Sequence, residues 1–320
     1  MGGAGNQVVD LGDGAVDVRL ESIMMTRRDL LTLGALAAAG SAALPDVLLA
    51  KPSRRLHSLP AALAALETVN HGRLGVAVID TGSGERSGYR AGERFAMCST
   101  FKMMLVAAVL QRVDGGRERL QRLVAIPAKP LVGHSPLTEV HAGGTMSVMA
   151  LCAAALTQSD NTATNVMLET LGGPDGVTQF ARSIGDAVTR LDRTETSLNE
   201  ARPGDARDTT SPEAMAGSVR EVLLGKVLTA ASREQLTAWM IANQSGQTRL
   251  RAHLPEGWRA GDKTGSNLED TAGDIGILWT PQGAPVVVAA YVTECVGPEE
   301  KRAAMLAEVG RLVTACYAAG

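Results

Sequence analysis

The stretch from Arg94 to Leu110, RFAMCSTFKMMLVAAVL, constrains the fold more than any other part of the chain. Its apolar residues recur at helical spacing, yet Lys102 stands among Met, Leu, Val and Ala, three residues after Ser99. An ammonium in such a stripe is costly unless it lies on a polar edge or has a partner. A fold that accepts this helix must therefore bring polar groups to it from elsewhere in the sequence.

The rest of the chain suits a mixed fold. After a helix over Leu59 to Asn70, RLGVAVID reads as a strand and TGSGERSG as a turn. From Ser99 to about Trp239 the pattern is nearly all helical, with helices expected over 99–112, 147–157, 161–171, 174–183, 211–224 and 232–242. A long irregular stretch, Arg190 to Thr210, interrupts them, and loops of that length are commonly functional. Strand signals return in WRAGDKTG, GDIGILWT and PVVVAAYVTEC, followed by a helix from about Glu299 to Ala315. These elements predict an α+β fold. Residues 58–96 and 243–320 form an antiparallel sheet flanked by the terminal helices, and 97–242 form an inserted all-helical lobe carrying the 190–210 loop.

Composition narrows the functional classes. With 320 residues, 45% hydrophobic and 20% charged, the chain has material for one large domain or two ordinary ones. The net charge is −3 and no basic run is interleaved with aromatics, which argues against a nucleic-acid partner. Aromatics are only 3%, so the core must be aliphatic, rich in Met and Ala. Five histidines form neither HxH nor HExxH, and four cysteines form no CxxC, so no metal site or other cofactor is expected. Residues 1–50 read as a leader. Arg27 and Arg28 precede a short apolar run, Leu30 to Ala39, that exits into small residues. This pattern is that of an export signal of the twin-arginine type, too short to anchor in a bilayer, and it puts the mature protein in the periplasm or outside the cell. Residues 1 to 24 fit no targeting pattern, which makes Met25 the expected start.

Four polar clusters have chemical as well as bland readings. Ser99 and Lys102 lie three apart on one helix face, where an amine can help activate a hydroxyl; the alternative is an N-cap serine beside a solvated lysine. Ser159-Asp160-Asn161 falls in the break between two helices, where all three residue types also serve as ordinary caps. Glu195 and Asn199 are spaced to project together from one helical turn of the long loop, or are exposed loop polars. Finally, GDKTGS can present Lys263, Thr264 and Ser266 from a strand to an anion, with Gly265 permitting close backbone approach, or simply carry an edge charge before a turn.

Together, and in this order, the four clusters resemble the class A serine β-lactamases, a likeness that spans roughly residues 58 to 318. The resemblance implies hydrolysis of penicillins or cephalosporins through an acyl-enzyme on Ser99, by a monomer that confers antibiotic resistance. It implies proton transfer by Lys102 and Ser159, and deacylation by a water that Glu195 activates and Asn199 helps hold, leaving open whether Lys102 or Glu195 is the base for acylation. It assigns the backbone N–H groups of Ser99 and Ser266 to an oxyanion hole. Asn161 is then a contact for the substrate's side-chain amide, while Lys263, Thr264 and Ser266 bind its carboxylate and Arg249 reinforces that pocket from behind the strand. Lys102 finds its partners in Ser99, Asn161 and Glu195, and Arg193 pairs with Asp208 to close the long loop.

The chain departs from the family pattern in places. His134 stands where many members carry Tyr or Trp at the entrance, and Asn267 stands where Gly is frequent. Cys152 faces Val106 instead of a partner cysteine, and Cys98 has no cysteine after the Lys-Thr-Gly, which argues against strong carbapenem hydrolysis. Ser266 leans toward cephalosporins by family likeness. Two rivals share the Ser-Lys and Lys-Thr-Gly elements: a cell-wall DD-peptidase and a β-lactam sensor that stays acylated. Neither gives Glu195 and Asn199 a role.

Overall fold

The computed structural model describes residues 55–318 apart from 282, and the expected leader and start at Met25 lie outside the described residues. Residues 52–320 make one compact unit. The chain runs through α1 (Leu59–Asn70), β1 (Arg73–Asp80), β2 (Arg86–Tyr89) and β3 (Phe95–Ala96), then a 3-10 turn, Cys98–Phe101, that leads into α2 (Lys102–Asp114). Next come β4 (Leu123–Ala125), β5 (Thr145–Ser147), α3 (Val148–Thr157), α4 (Asn161–Thr170) and α5 (Pro174–Ser183). The last part comprises β6 (Thr209–Thr210), α6 (Pro212–Leu224), α7 (Ala230–Ile241), β7 (Arg259–Ser266), β8 (Ala272–Trp279), β9 (Val286–Thr293) and α8 (Glu299–Ala315).

Five strands form an antiparallel sheet in the order β2-β1-β9-β8-β7. Because alternate side chains of a strand point to opposite faces, β1 serves two cores at once. Leu74, Val76 and Val78 pack with Leu59, Leu63, Leu306, Val309 and Val313 of the two terminal helices. Ala77 and Ile79 point the other way, into the core shared with α2 to α7. Both faces being covered explains why β1 and β9 are almost wholly apolar. The sheet is completed by first and last segments of the chain, as its early and late strand signals predicted.

Within the larger core α2 is the central helix. Every residue from Lys102 to Leu110 is buried, so the helix has no solvent face at this end and is apolar all round. Of the two ways to accommodate Lys102, a polar edge or a partner, the helix therefore leaves only the partner. Helical boundaries otherwise agree with the periodicity to within two residues, except at Ser99, where the first turn is 3-10 and α2 begins only at Lys102. The sequence reading also missed β2, taken as part of a turn, and the small ribbons β3–β6 and β4–β5. Strands of two to four residues are too short to display a period of two.

Helix α8 lies against the segment that carries Arg249. A Cβ built on Gly310 would lie 2.2 Å from the Leu250 carbonyl oxygen, closer than any real contact. Gly310→Ala should therefore destabilise the protein by about 2–4 kcal/mol despite the better helix propensity of alanine, read as a lower urea midpoint at unchanged slope.

Candidate active site

Cys98 has a φ of 43°, a left-handed conformation unusual for a residue with a Cβ, and it turns the chain so that Ser99 opens onto the cavity. The Thr100 N–H and hydroxyl both donate to the Met97 carbonyl, at 3.1 and 2.8 Å, fixing this turn. Gly265 of β7 lies directly against it: a Cβ there would sit 2.7 Å from Met97 O and 2.8 Å from Ser99 N. Only glycine lets the strand and the Ser99 turn meet this closely.

Lys102 has no exposed surface, and its partners answer the problem posed by its sequence. Its Nζ donates to Asn161 Oδ1 at 2.6 Å, to the Ser159 carbonyl at 2.8 Å and to Ser159 Oγ at 3.2 Å. It also forms an ion pair with Glu195 Oε1 at 3.0 Å. Burial pushes this ammonium below the usual lysine range, and Glu195 opposes that shift. One expected partner differs. The Ser99 hydroxyl donates to Glu195 Oε1 at 3.1 Å, so serine and lysine meet through the carboxylate. Ser99 and Lys102 still share one face across the 3-10 turn, and both reach the same Glu195 oxygen.

The break between α3 and α4 divides its three polar residues between two tasks. Asp160 is the cap: its carboxylate accepts from Ala163 N at 2.8 Å, and from Leu137 N and Thr138 N at 2.9 Å each. Its neighbours turn toward the cavity. Ser159, at φ 57°, receives bonds on Oγ from both Lys102 and Lys263, each at 3.2 Å. Asn161 uses Oδ1 for Lys102 and donates through Nδ2 to the Gly133 carbonyl at 2.7 Å.

Glu195 is buried, and its backbone is clamped on both sides by Asn165 of α4. The Glu195 N–H donates to Asn165 Oδ1, and Asn165 Nδ2 donates to the Glu195 carbonyl, at 2.9 Å each. Asn165 was not singled out from the sequence. Its position four residues after Asn161, on the same helix face, was the available signal. On the far side of the carboxylate, Asn199 Nδ2 donates to Glu195 Oε2 at 2.8 Å. Asn199 Oδ1 is buried and has no hydrogen-bond partner among the described residues. The loop is closed by Asp208, whose carboxylate accepts from Arg193 Nε at 2.6 Å and from the N–H groups of Asp192 and Arg193 at 2.7 and 2.9 Å.

Strand β7 supplies the opposite wall. Lys263 is fully buried beneath it and donates to Ser159 Oγ and to the Thr264 carbonyl, the latter at 2.8 Å. Burial, with Lys102 and Arg249 nearby, pushes the Lys263 ammonium down to about 7. The Thr264 hydroxyl bonds Ser245, which the sequence reading also missed. Arg249 lies behind the strand as expected, with Nη1 donating to the Gly265 and Gly273 carbonyls at 2.8 Å each. Its Nη2 reaches Glu299 Oε1 at 2.9 Å, a partner on α8 that was not foreseen. Asn267, expected only as an altered rim, organises the following turn by accepting from the N–H groups of Glu269, Asp270 and Thr271 at 3.1, 3.0 and 2.9 Å.

These walls enclose a cavity of about 1300 Å³ lined by Ser99, His134, Ser159, Asn161, Asn199 and Ser266, among others. His134 stands on its rim with Nε2 held 2.9 Å from the Gln158 carbonyl. Among the described residues no cluster of His, Cys, Asp or Glu is arranged to hold a metal ion, and the four cysteines are free thiols. The chemistry available is that of a hydroxyl touching a carboxylate, between two buried ammoniums, with hydroxyl and guanidinium donors on one side.

Residues 58–317 match the model of the Beta-lactamase enzyme family. The chain belongs to the β-lactamase enzyme family, in its class A. It is 47% identical over 299 residues to Beta-lactamase L2 of Stenotrophomonas maltophilia, covering 90% of this chain and 98% of that protein. It is also 47% identical over 258 residues to Beta-lactamase Toho-1 of Escherichia coli, covering 81% and 89%. A solved structure of an ancestral class A β-lactamase superposes with a TM-score of 0.79 at 56% identity, covering 80% of this chain and 99% of that one. A β-lactamase from Xanthomonas campestris pv. campestris superposes with a TM-score of 0.80 at 47% identity, covering 82% and 98%.

The Asp208 carboxylate is almost wholly buried, so its loss leaves two backbone N–H groups unpaired and the Arg193 guanidinium with Glu200 as its remaining acid. Asp208→Ala should cost about 2–4 kcal/mol in unfolding free energy and expose the 190–210 loop to limited proteolysis under conditions in which the unmodified protein resists cleavage.

Proposed function

We propose that this protein hydrolyses the amide bond of β-lactam antibiotics through a serine acyl-enzyme and so confers resistance to them. The observation that carries this reading is the Ser99 hydroxyl donating to Glu195, while the same carboxylate contacts Lys102 and Asn199. In acylation Ser99 Oγ attacks the lactam carbonyl as its proton passes to a base. Of the two bases the sequence left open, the direct contact favours Glu195. The oxyanion is held by the backbone N–H groups of Ser99 and Ser266, an assignment supported by the close approach of Gly265 to the Ser99 turn and by both residues lining the cavity. Breaking the C–N bond needs a proton on the departing nitrogen. Ser159, bonded to both ammoniums, is placed to deliver it and to be recharged by Lys102. Lys102 in turn takes the Ser99 proton from Glu195 across their 3.0 Å contact and leaves Glu195 a carboxylate again.

Deacylation needs a second nucleophile. Glu195 takes a proton from water, whose oxygen attacks the ester carbonyl, and passes that proton to Ser99 Oγ as it leaves. The unpartnered Asn199 Oδ1, beside Glu195, is an acceptor suited to holding that water. This pair also argues against a DD-peptidase or a sensor, which have no use for it. Asn161 and His134 border the path of the substrate's amide side chain, and Lys263, Thr264, Ser266 and Arg249 form the pocket for its carboxylate. Export by the leader at Arg27 and Arg28 fits an enzyme acting where β-lactams reach their targets. No helix among the described residues is long and apolar enough to cross a membrane.

Glu195→Gln tests the reading. With a cephalosporin it should lower turnover at least 1000-fold while intact-mass spectrometry shows an adduct accumulating on Ser99. Undiminished turnover would remove Glu195 from the mechanism. A second expectation concerns pH. Lys263 is charged below about 7 and neutral above it, so its attraction for a carboxylate is present on the acid side and lost on the alkaline side. KM for an anionic β-lactam should rise at least fivefold between about pH 6.5 and pH 8.5. Lys263→Arg, which keeps its charge, should shift that rise upward by a pH unit or more.

A further inference from the structure

The carboxylate pocket contains a carboxylate of its own. Arg249 spends Nη1 on the carbonyls of Gly265 and Gly273, which leaves Nη2 as the edge of the guanidinium turned toward the cavity. That edge is taken by Glu299 Oε1 at 2.9 Å, while the Ser266 hydroxyl, 3.4 Å from Nη2, donates to the same oxygen at 3.2 Å. One acidic side chain thus engages two of the groups that hold the substrate's carboxylate in the reading above. Glu299 is the first residue of α8 and its side chain is 44% exposed, while that of Arg249 is 5% exposed. The acid is consequently the more accessible member of the pair, and the guanidinium is held by its two carbonyl bonds.

Charge at this end of the cavity is weighted the same way. Glu269, Glu299 and Glu300 line it together with Arg249 and His253. A substrate carboxylate entering here meets a guanidinium already neutralised by Glu299 and two further acids beyond it. A substrate that carries a cation next to its carboxylate meets an attractive surface at the same place.

We propose that Glu299 is a specificity-determining residue, a resident anion on Arg249 and Ser266 that disfavours β-lactams with an unaccompanied ring carboxylate and favours those with a positive charge beside it. The inference rests on the β-lactamase reading. It adds a selection by charge that no pairwise match of the Ser-Lys, Ser-Asp-Asn and Lys-Thr-Gly clusters contains. The physical cause is like-charge repulsion at a part-exposed site, worth about five- to tenfold in binding for one contact.

The test uses two cephalosporins with the same 7-acylamino side chain, one bearing a 3-acetoxymethyl group and the other a 3-pyridiniomethyl group, so that net charge is the main difference. Initial rates are measured for the unmodified protein, for Glu299→Gln and for Glu308→Gln. In Glu299→Gln, KM for the acetoxymethyl compound should fall about five- to tenfold with kcat within about twofold, while KM for the pyridinium compound stays level or rises. The ratio of the two kcat/KM values should then shift at least fivefold toward the anionic substrate. Glu308→Gln, an acid further along α8 that pairs with Arg311 and does not line the cavity, should keep the original ratio within about twofold. An unchanged ratio in Glu299→Gln overturns the inference, as does a higher KM for the acetoxymethyl compound, which would make Glu299 a residue that merely positions Arg249. Turnover of neither compound by the unmodified protein would overturn the hydrolase reading and this inference with it, whereas turnover with an unchanged ratio overturns this inference alone.

Discussion

Lys102 has no exposed surface, and its ammonium is held by Glu195, Asn161 and Ser159, which arrive from a long loop and from the corner before α4. An unpaired ammonium in that position would cost several kcal/mol. Helix α2 can be apolar on every side at this end only because those two segments dock on it. Their docking in turn depends on lesser contacts: the Asn165 clamp on the Glu195 backbone, the Asp160 cap and the Asp208 closure. One buried charge therefore links the packing of the largest core to the position of the reactive hydroxyl.

The same region carries more positive than negative charge. Lys102 and Lys263 share the Ser159 hydroxyl, and Arg249 stands behind β7, while Glu195 is the carboxylate in direct contact with this set. Repulsion among the cations is one reason Lys263 is held so far below its ordinary range. An anionic substrate relieves this imbalance on binding. Glu299 relieves part of it in advance from the outer end of the cavity. Affinity for the substrate's carboxylate is thus a balance between a buried excess of cations and an acid at the rim.

What could be read from the sequence was whatever local pattern expresses. The six long helices of the middle segment and the four long strands are visible because their side-chain period persists over enough residues to be distinguished. The Ser-Lys and Lys-Thr-Gly clusters stand out because they interrupt such a period with residue types that a core does not use, whereas the other two fall in a helix break and an irregular loop. Residues that act across the fold could not be read in this way. Asn165 and Glu299 are ordinary helix polars in sequence, and only tertiary packing brings the first to Glu195 and the second to Arg249. Asp160 shows the reverse. It sits inside a reactive triplet yet serves as a cap, so the bland reading held for the middle residue while its neighbours face the cavity. Ser99 and Lys102 do share a face, but spacing alone could not show that they meet through the Glu195 carboxylate, which arrives from a distant loop.

A double-mutant cycle between Lys102 and Glu195 tests the central claim most directly, with unfolding free energy as the readout for Lys102→Met, Glu195→Gln and the double variant. If the buried pair holds the loop to α2, the two effects are non-additive. The double variant should then be more stable than the sum of the single effects implies, by about 2 kcal/mol. Strict additivity, within about 0.5 kcal/mol, would mean that the two side chains do not depend on each other and would contradict the account.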